Sequence, residues 1–393
     1  MSVSGSLSPN ESHNLVTFQV ARFGIITAAN SDPLSSGIYY EDQFFSYGAD
    51  EVKMNHYCQP LLVSLCIFIL QALWIPVTVD DKDSAQSEDN AELVRSMTGI
   101  FLGGGDPWRL AEALMVTEAG ARRDSLVMAA IREMWEAGGL VAGTSAGIMA
   151  MTRSQVITGG DSWESLVWGA SEDTSMDSDV GGNLTYDALG GLNILQDVLI
   201  DAHFSQKARQ GRLVRLAADL DIERGLGLDE DTSLACSGAN LECEVIGTFG
   251  VWTLDMTSTE DSCDNNPGPG LWSCGGVKTS YLTSGDSLNL DSWAVKISEN
   301  KDDMEVLHER AESSDDIFRK VVAEFERIAI SLLESETFIT IGRTLEDSPI
   351  QYFILFAKTP GTSAARNGDT GQVSYENLVL NFGYSSGAGV GLK

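Results

Sequence analysis

Short apolar runs alternate with amphipathic stretches through the first 230 residues. Residues 23–29 (Phe-Gly-Ile-Ile-Thr-Ala-Ala) read as a buried strand followed by a loop of small residues. Residues 39–47 and 91–97 read as helices, 99–102 as a strand entering Gly103-Gly104-Gly105, 110–136 as one long helix, and 139–142 as the next strand. A further helix begins at 148–151, and Val156-Ile157 is apolar again. Continuous apolar strands alternating with helices point to a parallel α/β sheet covered on both faces. In such sheets, sites form beyond the carboxyl ends of the strands. Residues 61–79 are uncharged and apolar apart from Ser64, Gln71, Pro76 and Thr78, a length that could span a bilayer. Gln71 and Pro76 weaken that reading, and soluble patterns flank the run. The expectation is a strand within 72–79 and an insertion at 61–71.

The second half is patterned differently. Val198-Leu199-Ile200 is a buried strand ending near His203, and 225–232 is a strand and turn. Residues 255–291, rich in Gly, Ser, Asp and Asn, predict a long loop or a boundary. Ile317, Val321, Val322, Phe325, Ile328 and Leu332 recur at helical spacing, so 315–333 is expected to be an amphipathic helix. Strands follow at 337–341, 351–357 and 376–382. The expected organisation is a flexible 1–20, an α/β domain over 21–290, a small α+β appendage over 291–383, and a flexible tail over 384–393.

Charge narrows the partners. Lys and Arg number 25 against 57 Asp and Glu, a net charge of −32. That argues against nucleic acid and anionic membranes and fits a solvated acidic surface or a cationic substrate. Of six cysteines, Cys236, Cys243, Cys263 and Cys274 cluster. Two local disulfides and four free thiols both fit, and spacing cannot assign connectivity. No C-x-x-C occurs, and neither a metal nor a cofactor is expected. The first residues lack a basic n-region and an apolar h-region, so no signal peptide is expected and the compartment stays open.

Gly143-Thr144-Ser145-Ala146-Gly147 is a G-x-S-x-G run, which can hold a serine on a sharp strand-to-helix turn. The hydroxyl needs a base. Of the four histidines, His13 lies in a polar stretch, His56 borders an apolar run, and His308 sits among charges as on a solvated helix. His203 alone follows a buried strand, so Ser145–His203 is the economical pair. A third group must orient the imidazole. Asp161 and Glu164, in a turn after 156–157, and Asp201, two residues from His203, all qualify. The Ala146 N–H and the Gly104-Gly105 peptide are candidate oxyanion donors. Lys207, Arg209, Arg212 and Arg215 follow at near-helical spacing, facing either a substrate carboxylate or neighbouring acids.

These motifs, in this order, resemble the cyanophycinase-like serine peptidases, the family that also holds the aspartyl dipeptidases. The marks are residues 25–29, Gly103-Gly104-Gly105-Asp106, Gly143 to Gly147, Gly159-Gly160-Asp161-Ser162, Asp201 to Arg212, and Gly227 to Thr232. The resemblance implies a flavodoxin-like fold related to the class I glutamine amidotransferase sheet. It implies a Ser145–His203–Glu164 triad with Gly105 and Ala146 at the oxyanion. Asp106, Asp201, Gln206, Lys207, Arg209 and Arg212 are then expected to meet a peptide or isopeptide substrate cut beside an aspartyl or β-linked residue through an acyl-enzyme. Pro107, Ala202 and Lys207 depart from the family's Gln, Gln and Arg, so weak action on cyanophycin is expected. A homodimer is left open. The alternatives are an esterase using His308 and a non-catalytic protein of the same fold.

Overall fold

The computed structural model of the protein describes residues 20–47, 69–172, 182–237, 241–259, 263–264, 271–386 and 389–392. The chain opens with β1 (Val20–Ile26), α1 (Pro33–Ser46), β2 (Ile69–Trp74), α2 (Glu88–Arg95) and β3 (Gly99–Leu102). Side-chain caps start both helices: Asp32 accepts from the Ser35 N–H, with Pro33 following, and Ser87 accepts from the Asn90 N–H. Then come α3 (Pro107–Leu114), a hairpin of β4 (Met115–Glu118) and β5 (Ala121–Asp124), α4 (Leu126–Glu136), β6 (Leu140–Gly143) and α5 (Ala146–Met149). The first sheet runs β2-β1-β3-β6, all parallel.

The apolar run at 61–79 thus supplies a sheet strand that begins at Ile69, inside the expected insertion; residues 61–68 lie outside the described residues. Among the described residues no helix is long and apolar enough to cross a membrane. The single helix expected over 110–136 is broken by the hairpin. Ala119 and Gly120 adopt φ of 52° and 79°, which reverses the chain, and Ser125 then caps a fresh helix by accepting from the Met128 N–H.

The chain continues through β7 (Val156–Gly159), α6 (Ser162–Trp168), β8 (Ala170–Glu172), β9 (Leu184–Asp187), β10 (Leu199–Ala202), α7 (Gln210–Asp219) and β11 (Arg224–Leu228). The hairpin β12 (Thr232–Ser237) and β13 (Glu242–Gly247) precedes β14 (Gly250–Asp255) and β15 (Cys274–Thr283). Disulfides join Cys236 to Cys243 and Cys263 to Cys274, and Cys58 and Cys66 lie outside the described residues. After β16 (Ser287–Asn289), β17 (Val295–Lys296) and β18 (Asp302–Asp303) come α8 (Glu324–Leu333), β19 (Ile339–Arg343), β20 (Gln351–Ala357), β21 (Ser363–Arg366), β22 (Val373–Ser386) and β23 (Gly389–Leu392).

A second sheet follows the path β10-β11-β14-β15-β22-β20-β19. It begins with a parallel pair and continues antiparallel. The C-terminal strands therefore extend the sheet that carries β10 and β11, and hydrogen bonding crosses the boundary expected at residue 290. The expected loop at 255–291 contains β15. Its glycines mark a bulge, with Gly276 at φ 73° and a register shift between Cys274 and Val277. The expected flexible tail pairs too, as β22 with β23.

Of the helix expected at 315–333, only α8 is helical. Val321 and Ala323 stand at φ 78° and 47°, and Val321 is 86% exposed instead of buried. His308 lies on no helix; it bridges Ser335 and does not line the cavity that holds Ser145. Behind the second sheet, Phe204, Trp252, Phe325 and Phe356 form one buried core beneath α8.

Candidate active site

Ser145 occupies the junction of β6 and α5 with φ 52° and ψ −119°. This is a costly conformation for a residue bearing Cβ, of order 1–3 kcal/mol, and it is tolerated where the surroundings enforce it. The flanking glycine explains the enforcement. A Cβ on Gly147 would stand 2.1 Å from the Leu102 carbonyl oxygen, so α5 can press this close to β3 only without one.

His203 follows β10, also at positive φ (50°). Its Nε2 lies 2.8 Å from the Ser145 Oγ. Its Nδ1 lies 2.8 Å from the Glu230 Oε1. Glu230 follows β11, two residues beyond the Ala202–Leu228 register pair, so the parallel pairing of β10 and β11 brings His203 and Glu230 side by side. Gln206, expected to meet substrate, accepts the Glu230 backbone N–H at 3.1 Å through its Oε1 and thereby fixes the acid.

The expected third group, Glu164, does not touch His203. It lies in the first turn of α6 and packs against Gly182, and burial, with Asp161 nearby, pushes its carboxyl up. Asp161 pairs with Lys320 at 2.9 Å. Asp201 is fully buried and accepts from Arg212 at 2.7 and 2.5 Å and from Arg209 at 3.1 Å. Burial alone would push the Asp201 carboxyl up, but the charges of Arg212 and Arg209 outweigh it and hold it below its ordinary value. Asp201 thus organises the site's interior and is not placed to meet substrate. Both arginines are similarly engaged: Arg212 also donates to the Gly160 carbonyl at 2.8 Å, and Arg209 to the Ala202 carbonyl. Asp106 caps α3 by accepting the Trp108 N–H at 2.9 Å and does not line the cavity.

Glu230 escapes a search confined to the acids between the serine and the histidine, because it lies 27 residues beyond His203. Its signal is its place in the Gly227 to Thr232 motif, at the end of an apolar strand.

Gly105 reaches the site because its φ of 142° places the position of a Cβ 2.2 Å from the Ala29 carbonyl oxygen. A Cβ on Gly104 would lie 3.2 Å from that of Ser145, so the glycine loop abuts the nucleophile. Among the described residues, neither the Gly105 nor the Ala146 N–H has a hydrogen-bond acceptor. A cavity of about 470 Å³ opens over Ser145 and His203, lined also by Gly105, Asp161, Lys207 and Lys320. Arg209 and Arg212 reach its wall, so four cations face one lining carboxylate in a chain of net charge −32. Burial, then the charges of Arg209 and Arg212, push the Lys207 ammonium down, and no described residue forms an ion pair with it. Pro107 lines the cavity, whereas Ala202 is buried in the core behind it.

Residues 79–243 match the profile of Peptidase family S51. The chain is 27% identical over 235 residues to a cyanophycinase of Synechococcus elongatus, covering 60% of this chain and 59% of that protein. It is 28% identical over 236 residues to a cyanophycinase of Geminocystis herdmanii, covering 60% and 70%. A crystal structure of a peptidase from an acI-B1 Actinobacterium aligns with a TM-score of 0.42 and 21% identity, over 68% of this chain and 83% of that one. The match spans about three fifths of the first curated relatives' own length. Ser145, His203 and Glu230 fall inside the profile; Lys320 falls outside it.

Proposed function

We propose, from the match of residues 79–243 to the profile of Peptidase family S51, that this chain is a serine-type peptidase with Ser145 as nucleophile, His203 as general base and Glu230 as the group that orients the imidazole. The observation that carries this reading is the unbroken hydrogen-bond chain Ser145–His203–Glu230, with both links at 2.8 Å. Ser145 Oγ attacks the amide carbonyl as His203 Nε2 takes its proton. Negative charge then develops on the carbonyl oxygen, where the Gly105 and Ala146 N–H groups can receive it. The imidazolium, stabilised by Glu230, returns the proton to the leaving amine. The acyl-enzyme is released when His203 activates water for the reverse sequence.

The substrate class is an amide beside an aspartyl or β-linked residue. It is supported by the cations that line the cavity and by the curated relatives' name, cyanophycinase. Pro107 on the cavity wall supports weak action on cyanophycin itself, since it offers no side-chain donor. The parallel order β2-β1-β3-β6 has the 2-1-3-4 start of a flavodoxin-like sheet, which supports that fold assignment. In this division residues 21–290 carry the catalytic groups and 291–383 complete the sheet behind them. The hydrogen-bonded serine supports an enzyme over a non-catalytic relative, and the absence of His308 from the cavity lining supports His203 over His308 as the base.

Labelling with a fluorophosphonate tests the reading. The protein should be modified at Ser145, and S145A and H203A should not. Equal labelling of all three would sink the mechanism.

A further inference from the structure

Lys320 reaches the cavity from a segment that no helix or strand explains. Residues 315–323 run irregularly between β18 and α8, pinned at three points. The Ile317 N–H donates to the Arg343 carbonyl at 2.7 Å. The Phe318 ring rests on α7, where a Cβ on Gly211 would come within 2.9 Å of it. The Val321 N–H donates to the Gln206 carbonyl at 3.0 Å, three residues beyond His203. Val321 holds φ 78° to do so, although its side chain is exposed and gains no burial. A β-branched residue at positive φ is an outlier, and such strain persists where the surroundings over-determine it. What this conformation achieves is to seat Lys320 at the rim of the Ser145 cavity.

There the Lys320 Nζ sits 2.9 Å from the Asp161 Oδ1, with the two side chains 53% and 45% exposed. Such a half-exposed pair contributes little, about 0–1 kcal/mol, so it exchanges readily. Arg209 and Arg212 cannot take a substrate carboxylate without abandoning the buried Asp201. Lys207 and Lys320 are the lining cations with no buried partner to lose.

We propose that Lys320 exchanges Asp161 for a carboxylate on the substrate residue beside the scissile amide, so that a residue outside the S51-matched region sets the preference for acidic peptides. The inference deepens the peptidase reading of the same cavity and rests on it. Asp161 is then a competitor that holds Lys320 in place until substrate arrives.

The test uses the full chain and a matched pair: a β-aspartyl peptide and the same peptide with that carboxylate replaced by its amide. Losing an ion pair at this half-exposed ammonium, worth up to about 1 kcal/mol, predicts that K320A raises KM for the carboxylate peptide about three- to fivefold. kcat should change less than about twofold, because the contact is made equally in ground and transition states. The amide peptide should be unaffected. D161N should lower KM for the carboxylate peptide, since Lys320 then has no competitor. Equal shifts on both peptides, no shift in K320A, or a rise in KM in D161N would each overturn the proposal. Binding of both peptides to S145A and to S145A/K320A by calorimetry separates this from the catalytic reading. A carboxylate preference present in the first and lost in the second supports Lys320 even if turnover is absent. Absence of any preference in S145A refutes the role of Lys320, whereas wild-type protein that binds but is neither labelled nor active refutes only the catalytic assignment.

Discussion

At the scale of single residues, the site depends on which acid faces His203. Glu230 does so at 2.8 Å, while Glu164 faces Gly182. S145A and H203A should each lose about 10⁴-fold or more in kcat, since triad members act as a unit. E230Q should lose roughly 10²–10⁴-fold, because an amide cannot stabilise the imidazolium. E164Q should stay near wild type. Steady-state kinetics on any turned-over peptide checks the order, and a larger loss in E164Q than in E230Q would return the role to Glu164. Ser145 and His203 were legible because each stands at the end of an apolar run in a recognisable motif. Glu230 was not, because its place follows from strand pairing: only the parallel register of β10 on β11 reveals that a residue 27 positions on is the neighbour of His203. The cations mislead for the complementary reason. Arg209 and Arg212 read as substrate ligands until the fully buried Asp201 between them is seen. R212A should therefore act on stability first. Removing one partner of a buried ion pair costs about 3–5 kcal/mol, so denaturant melting should show the loss, with no matching change confined to KM. A variant as stable as wild type but raised in KM would restore Arg212 to the substrate.

At the scale of elements, Asp229, the residue after β11, and Glu326 of α8 form a buried pair of acids. Asp229, next to Glu230, accepts from the Ser205 N–H at 2.8 Å, the Tyr281 hydroxyl at 2.7 Å and the Gly250 N–H at 3.4 Å. Glu326 on α8 accepts from the Gln210 Nε2 at 2.8 Å. Burial, reinforced by the charge of Asp229, pushes the Glu326 carboxyl from the usual 4.5 up to about 8. The folded protein then holds this proton up to about pH 8, whereas the unfolded chain releases it near 4.5. Between those values the native state binds more protons, so the group's contribution is complete below pH 4.5 and is lost as pH rises through about 8. E326Q stays neutral throughout. Its stability relative to wild type should rise between pH 5 and pH 9 by about 3 kcal/mol, less than the full conversion at about 1.36 kcal/mol per pH unit. Unfolding free energies at pH 5, 7 and 9 measure this, and parallel curves for the two proteins would refute it. The elements themselves were legible where hydrophobic runs were continuous, as in β1, β3 and β6. They were hidden where tertiary context overrode composition. The glycines of β15 make a bulge and not a loop, and the helical spacing of 315–323 is overruled by the contacts that seat Lys320.

At the scale of the whole molecule, the matched profile ends at residue 243 while the sheet behind the site runs on to β22. β22 pairs along β15 from Phe382 opposite Cys274 to Tyr375 opposite Tyr281. α8 places Phe325, which is 1% exposed, against the fully buried Trp252 of β14. β14 in turn pairs with β11, whose end carries Glu230. α8 and the C-terminal strands are thus the far half of the core whose near half places Glu230 beside His203. A chain ending at residue 290 would leave β15 as a bare edge and expose Trp252, Tyr281 and Trp272, which are buried in the full protein. Deleting Phe325 alone should cost about 3–5 kcal/mol, and typical total stabilities are about 5–15 kcal/mol, so removal of the whole segment exceeds what the remainder can absorb. The truncated protein should therefore be aggregated or lack a cooperative thermal transition, with Trp fluorescence shifted to the red. It should also fail to label with fluorophosphonate, although Ser145, His203 and Glu230 are all retained. A 1–290 chain that melts cooperatively and labels at Ser145 at the wild-type rate would show that the catalytic half folds without its C-terminal strands.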